Sequence, residues 1–130
     1  MTLASGKTKK SFRKVETMPV GNVTGVKAGG MLWLSAIRGD GADLKTQTHA
    51  AIEDLKGILE SQGSDLQDVV KATVYMQDIA DRAAFHEVWM EYFGQGETSP
   101  ARIMIEVANA SLRAGGNTRF AMDVVALAPD

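Results

Sequence analysis

The stretch Val69-Val70-Lys71-Ala72-Thr73-Val74-Tyr75-Met76 decides how this chain folds. Val70, Ala72, Val74 and Met76 alternate with Val69, Lys71, Thr73 and Tyr75, which is the period of a β-strand with one wholly apolar face. Helical patterns lie on either side of it. Leu44, Thr48, Ile52, Leu55, Ile58 and Leu59 recur at helical spacing and predict a helix over residues 43–62. Asp43 is a good N-cap for it, and Gly63 suits the left-handed residue that closes such a helix. Phe85, Val88, Trp89, Tyr92 and Phe93 predict a second helix over 81–93, closed at Gly94. A strand bracketed by two amphipathic helices buries its apolar face against them, which points to a layered α+β architecture.

Further strands are predicted at 12–16, 22–28, 31–36, 98–107 and 118–127, the second and third joined by the turn Ala28-Gly29-Gly30. In Ser99-Pro100-Ala101-Arg102-Ile103-Met104-Ile105-Glu106-Val107, the residues Ile103, Ile105 and Val107 point one way and Arg102, Met104 and Glu106 the other. In the last strand Phe120, Met122 and Val124 share a face, opposite Arg119, Ala121 and Asp123. The expected fold is one domain over residues 1–130, a six-stranded sheet with both helices on one face and a flexible basic leader at 1–11. The uncovered face carries Trp33, Met104, Ala121 and much of Val69–Tyr75, too apolar to stay wet. Self-association through it, with clefts between subunits, is the expected remedy.

Composition excludes several chemistries. The 130 residues include no cysteine, which removes thiol nucleophiles, thiolate metal sites and disulfides, and suits a reducing cytoplasm. The formal net charge of −2 argues against nucleic acid as a partner. The basic cluster Lys7, Lys9, Lys10, Arg13 and Lys14 has no interleaved aromatic platform for bases and reads as a solvated leader. No run approaches the length of a membrane span, and no secretory signal is expected.

Few residues carry chemistry. His49 and His86, the two histidines, sit on different predicted helices without ligand spacing, so no metal is expected. Neither Gly29-Gly30 nor Gly115-Gly116 opens a helix after a strand, so there is no phosphate cradle. Ser35 lies outside any nucleophile elbow and can simply close its strand. Glu106 and Asp123 form a carboxylate pair only if their strands are neighbours in register. Arg102, at the start of an otherwise apolar strand, is costly to desolvate unless an anion meets it. Its guanidinium is suited to grip a planar carboxylate with two hydrogen bonds, although a salt bridge or plain exposure also accommodates it.

Five segments in order, spread over about residues 17–127, give the chain a wider likeness. They are Leu32-Trp33-Leu34-Ser35, then Gln47-Thr48 with Leu55 and Leu59, then Gly63 through Asp78, then Glu91-Tyr92-Phe93 and Ser99-Pro100-Ala101-Arg102. Together they resemble the RidA (YjgF) family of enamine/imine deaminases. The resemblance implies a chorismate-mutase-like fold, a homotrimer with three intersubunit clefts, and no metal or organic cofactor. It implies that a small imine or enamine substrate is clamped by its carboxylate on Arg102, with Thr24, Ser35 and backbone around Met104 also touching it. Hydrolysis then yields a 2-keto acid and ammonia.

Several positions depart from the family pattern. The glutamate that positions water in active members corresponds here to Ala121, and a tyrosine to Val23. The glycine after the strand serine is Ala36, a helix asparagine is His86, and a frequent cysteine is Met104. Proton handling then falls to Asp123 or His86, as in a catabolic branch such as aminomuconate-type deamination. The competing expectation is a non-catalytic trimer that binds small carboxylates such as 2-keto acids through Arg102. Endoribonuclease activity fits poorly with an acidic chain lacking a histidine pair.

Overall fold

The structure is a computed structural model of the chain and describes residues 2–13, 23–94, 96, 99–108 and 118–129. Six strands and two helices appear among these residues: β1 (Lys9–Phe12), β2 (Gly25–Ala28), β3 (Met31–Ile37), α1 (Leu44–Ser61), β4 (Val69–Met76), α2 (Arg82–Phe93), β5 (Ala101–Glu106) and β6 (Phe120–Leu127). The sheet order is β1-β2-β3-β6-β4-β5. Only β4 and β5 run parallel, joined by α2; the other neighbours are antiparallel. This is the expected α+β mixed sheet.

Local chemistry sets the helix ends. The Asp43 carboxylate accepts from the Thr46 N–H at 2.8 Å and caps α1. That bond, given by the backbone, is the main reason the carboxyl titrates below its ordinary value. Gly63 follows α1 at φ 77°, as anticipated for its left-handed closing residue, and α2 closes at Gly94, which has φ 57°.

Both helices lie on one face. Leu32, Leu34, Ala72, Val74, Met76, Phe120, Met122, Val124 and Ala126 of the strands are buried there with Ile52, Leu55, Leu59, Phe85, Val88 and Trp89 of the helices. The buried Gln47 ties α1 to the sheet: its Oε1 accepts from the Arg119 N–H and its Nε2 donates to the Gly41 carbonyl. On the opposite face Trp33 and Ile103 are each 50% exposed, and Ile105 and Leu127 are exposed as well.

Four expectations need correction. Residues 9–11, placed in a flexible leader, form edge strand β1 against β2 together with Phe12, and an isolated bridge joins Thr2 to Thr8. Phe12 packs on the core and anchors that strand, which therefore lies earlier than 12–16; residues 14–16 fall outside the described residues. Within β4 it is Val69 that is buried and Val70 that is exposed, because the pairing with β6 slips between Val69 and Lys71. Met104 lies on the helix-covered side rather than the open one, since it pairs with the buried Val74. Finally, Glu106 and Asp123 form no pair. Strand β4 separates them, and Glu106 accepts from the Ile79 N–H at 3.0 Å.

Candidate functional site

Arg102 stands on the edge strand β5, and α2 crosses beside it. The two are consecutive limbs of the β4–α2–β5 crossover, so the helix presents Phe85, His86 and Trp89 to the strand's second residue. The Arg102 Cζ lies 5.0 Å from the Trp89 ring centroid and 5.9 Å from that of Phe85. Those rings are part of a stack: Phe85 meets Phe120 edge-on at 5.1 Å, and Trp89 stacks on Phe93 at 4.1 Å. An aromatic floor of this kind attracts the cation while fixing the plane of the guanidinium.

Nη2 of Arg102 contacts His86 Nδ1 at 3.0 Å. Arginine has no acceptor, so Nδ1 accepts and the ring proton sits on Nε2. Nη1 is buried and has no partner among the described residues. Burial first, and then repulsion from Arg82, push Arg102 below its ordinary value. These are the features of a partly desolvated cation with room for an anion. A cleft of about 560 Å³ opens over it, lined by Arg82, Ala83, His86, Arg102, Ile103 and Met104. Among the described residues, no carboxylate lines it and no cluster of three or more metal-ligating side chains exists.

The other expected site residues gather on the uncovered face. Asp123 of β6 is opposite Thr73 of β4. Its Oδ1 accepts from the Ala36 N–H at 3.2 Å and its Oδ2 from the Tyr75 hydroxyl at 3.3 Å. The Asp123 charge, with burial and the hydrogen bond adding to it, raises Tyr75 above its ordinary value and keeps it a donor. Ser35 precedes Ala36 in the irregular end of β3, and its N–H donates to the Thr24 carbonyl at 3.4 Å. Ala36 has φ 58°, the one described non-glycine residue in left-handed geometry. Ala121 is 7% exposed on the same face, two residues before Asp123.

The six expected site residues thus divide into two groups. Arg102, His86 and Met104 meet at the α2–β5 edge; Ser35 and Asp123, with Thr24 beside Ser35, belong to the far side of the sheet. Alternation alone places Arg102 and Asp123 on opposite faces, because Ala72, the partner of Arg102, precedes Thr73, the partner of Asp123. His49 behaves as a helix-packing residue, its Nδ1 2.9 Å from the Tyr92 hydroxyl. Sequence reading missed Tyr75 and Arg82. The first carried a signal in its alternation with Thr73 toward the uncovered face; the second became visible only when α2 was set against β5.

The chain is similar to several known proteins. A sequence profile described as Endoribonuclease L-PSP matches residues 22–127. A RutC family protein of Pyrococcus abyssi is 52% identical over 66 residues, 51% of this chain and 50% of that one. A protein of Escherichia coli bearing the name reactive intermediate deaminase TdcF is 32% identical over 68 residues, 52% of this chain and 53% of that one. The chain therefore spans about half the length of these curated relatives. Among solved structures, a YjgF/YER057c/UK114 family member from Mycobacterium tuberculosis superposes with a TM-score of 0.80 at 23% identity, covering 92% of this chain and 99% of that one.

Proposed function

Since the chain belongs to the Endoribonuclease L-PSP family, the YjgF/RidA proteins, we propose that it hydrolyses a reactive imine or enamine of an amino-substituted carboxylic acid to a 2-oxo acid and ammonia. The reading rests on one observation above all: a partly buried guanidinium, its Nη1 without a partner among the described residues, at the floor of a cleft that no described carboxylate lines. The name carried by the Escherichia coli relative supports the same chemistry.

Arg102 holds the substrate carboxylate, leaving the C=N carbon beside His86 and the backbone of Met104. Water adds to the iminium carbon as the C=N electron pair moves to nitrogen. An enamine first takes a proton on carbon to become the iminium. After water adds, one of its protons reaches the amine and the C–N bond breaks. Ammonia leaves as the hydroxyl gives its remaining proton to a base and the carbonyl forms. The substrate is already activated, so orientation and proton transfer are the protein's main tasks. His86, its Nδ1 engaged by Arg102, offers its Nε2–H as a donor. Asp123 is the candidate base, held by Ala36 and Tyr75. It lies on the far side of its own sheet from Arg102, so it serves the cleft of a neighbouring copy. A cyclic homotrimer joined through the uncovered faces, as the family resemblance implies, supplies that copy.

A mixing experiment tests this. Ammonia release from freshly generated 2-iminobutyrate is accelerated by the wild type and abolished in Arg102→Ala and in Asp123→Asn. Co-refolding the two variants in equal amounts restores about a quarter of wild-type activity, the chance that one random interface combines an intact Arg102 with an intact Asp123. Full activity of Asp123→Asn alone removes that residue from the mechanism. A well-folded wild type that binds 2-oxobutyrate without accelerating the reaction leaves the carboxylate-binder reading.

A further inference from the structure

The cleft above Arg102 holds a second guanidinium. Arg82 is the first residue of α2, one helical turn before His86 and on the same face, and both line the cleft. Two like charges around one opening repel each other and are retained together only against that repulsion. The acidic side chains nearest Arg82 in sequence each have a contact with another group. Asp81 Oδ1 accepts from Arg119 Nη2 at 2.9 Å. Asp78 Oδ1 accepts from the Ala80 N–H at 2.9 Å, Glu87 pairs with Lys45, and Glu91 lies 3.4 Å from His49 Nε2. Within one chain, Arg82 and Arg102 therefore face one opening with no carboxylate among its described lining residues, and Asp123 of a neighbouring copy brings one negative charge against their two positive ones.

Building on the carboxylate clamp of the preceding subsection, we propose that the cleft selects a dianionic substrate, a small imino or enamino dicarboxylate with one carboxylate on Arg102 and the second on Arg82. A monocarboxylate neutralises only the deep guanidinium and leaves Arg82 facing it across the ligand. A second carboxylate offsets the remaining charge. The volume of about 560 Å³ falls within the roughly 300–1,000 Å³ usual for small-molecule sites and accommodates such a chain. Ala83, between Arg82 and His86 on the helix, keeps the space between the two cations free of side-chain bulk. Arg82 is then a specificity-determining residue, whereas Arg102 is required for any carboxylate.

Titration calorimetry with two unreactive probes separates these roles. 2-Oxoglutarate and 2-oxopentanoate share a carbon skeleton and differ only in a terminal carboxylate against a methyl group. The wild type prefers 2-oxoglutarate by about fivefold or more, the range of a partly exposed charge pair. In Arg82→Gln the ratio of the two dissociation constants falls toward one, and Arg82→Lys keeps part of the preference. Equal affinities in the wild type, or a preference that survives Arg82→Gln, overturn the proposal while leaving the clamp intact. If Arg102→Gln binds both probes as the wild type does, or the wild type binds neither, the clamp itself fails and the proposal with it.

Discussion

Replacing Arg102 by methionine should strengthen the fold while removing the function, because the two draw on the same side chain in opposite directions. In the ligand-free protein the guanidinium gains from the Trp89 and Phe85 rings, at about 0.5–1 kcal/mol for such a contact. Against this stands a buried Nη1 without a partner, an arrangement that costs roughly 1–3 kcal/mol. Methionine keeps the unbranched stem and places a thioether over the same rings, worth about 0.3–1.5 kcal/mol. The variant also loses the Nη2 hydrogen bond to His86, worth about 1 kcal/mol. The balance therefore favours it by about 1 kcal/mol, or a rise in Tm of about 3 °C for a domain of this size. Binding moves the other way. Losing a charged, bidentate partner for a carboxylate removes about 2–4 kcal/mol, roughly a 30- to 1,000-fold weaker Kd. Chemical denaturation at fixed protein concentration and calorimetry with 2-oxobutyrate read the two effects separately. A variant that is destabilised by more than 1 kcal/mol yet binds normally would show that Arg102 is a structural cation, and the site would have to lie elsewhere.

Two other perturbations follow from geometry. Ala36 holds φ 58° beside Asp123; the left-handed strain of about 1–2 kcal/mol exceeds the roughly 0.4–1 kcal/mol that glycine adds to unfolded-chain entropy. Ala36→Gly should therefore raise the unfolding free energy by about 0.5–1 kcal/mol, and Ala36→Val should lower it; an unchanged or lowered midpoint for the glycine variant refutes the strain. Ile105 is 41% exposed on the uncovered face, so if the proposed trimer forms through that face, Ile105→Asp should shift sedimentation from trimer to monomer with far-UV dichroism retained. A trimer that persists in this variant places the interface elsewhere.

The fold was largely legible because its signals are local and redundant. Alternation in Val74–Met76 and Phe120–Val124, helical spacing from Leu44 to Leu59, and the closing glycines 63 and 94 all act within one element and agree with one another. What escaped reading depends on partners. Lys9–Ser11 looks like a solvated basic leader until β2 offers it an edge and the core offers the adjoining Phe12 a place. Val69 and Val70 exchange roles because β6 slips against β4, a slip that neither strand encodes alone. Met104 faces the helices because parallel pairing sets it beside Val74.

The candidate site shows the same division at a larger scale. Arg102 was legible from residue type and position, since an arginine among Ile103, Met104 and Ile105 demands an anion or water. Its setting was not, because the aromatic floor and Arg82 come from a helix whose approach to β5 is a tertiary fact. Asp123 was legible as the nearest acid to Ala121, yet strand alternation sets it on the opposite side of the sheet from Arg102. A single chain therefore holds two incomplete constellations, a cationic cleft and a carboxylate supported by Ala36 and Tyr75, with the sheet between them. No rotation of side chains within one chain can unite them across that sheet. If both act in one reaction, assembly is part of the catalytic geometry, and subunit dissociation should abolish turnover while leaving carboxylate binding at Arg102 in place.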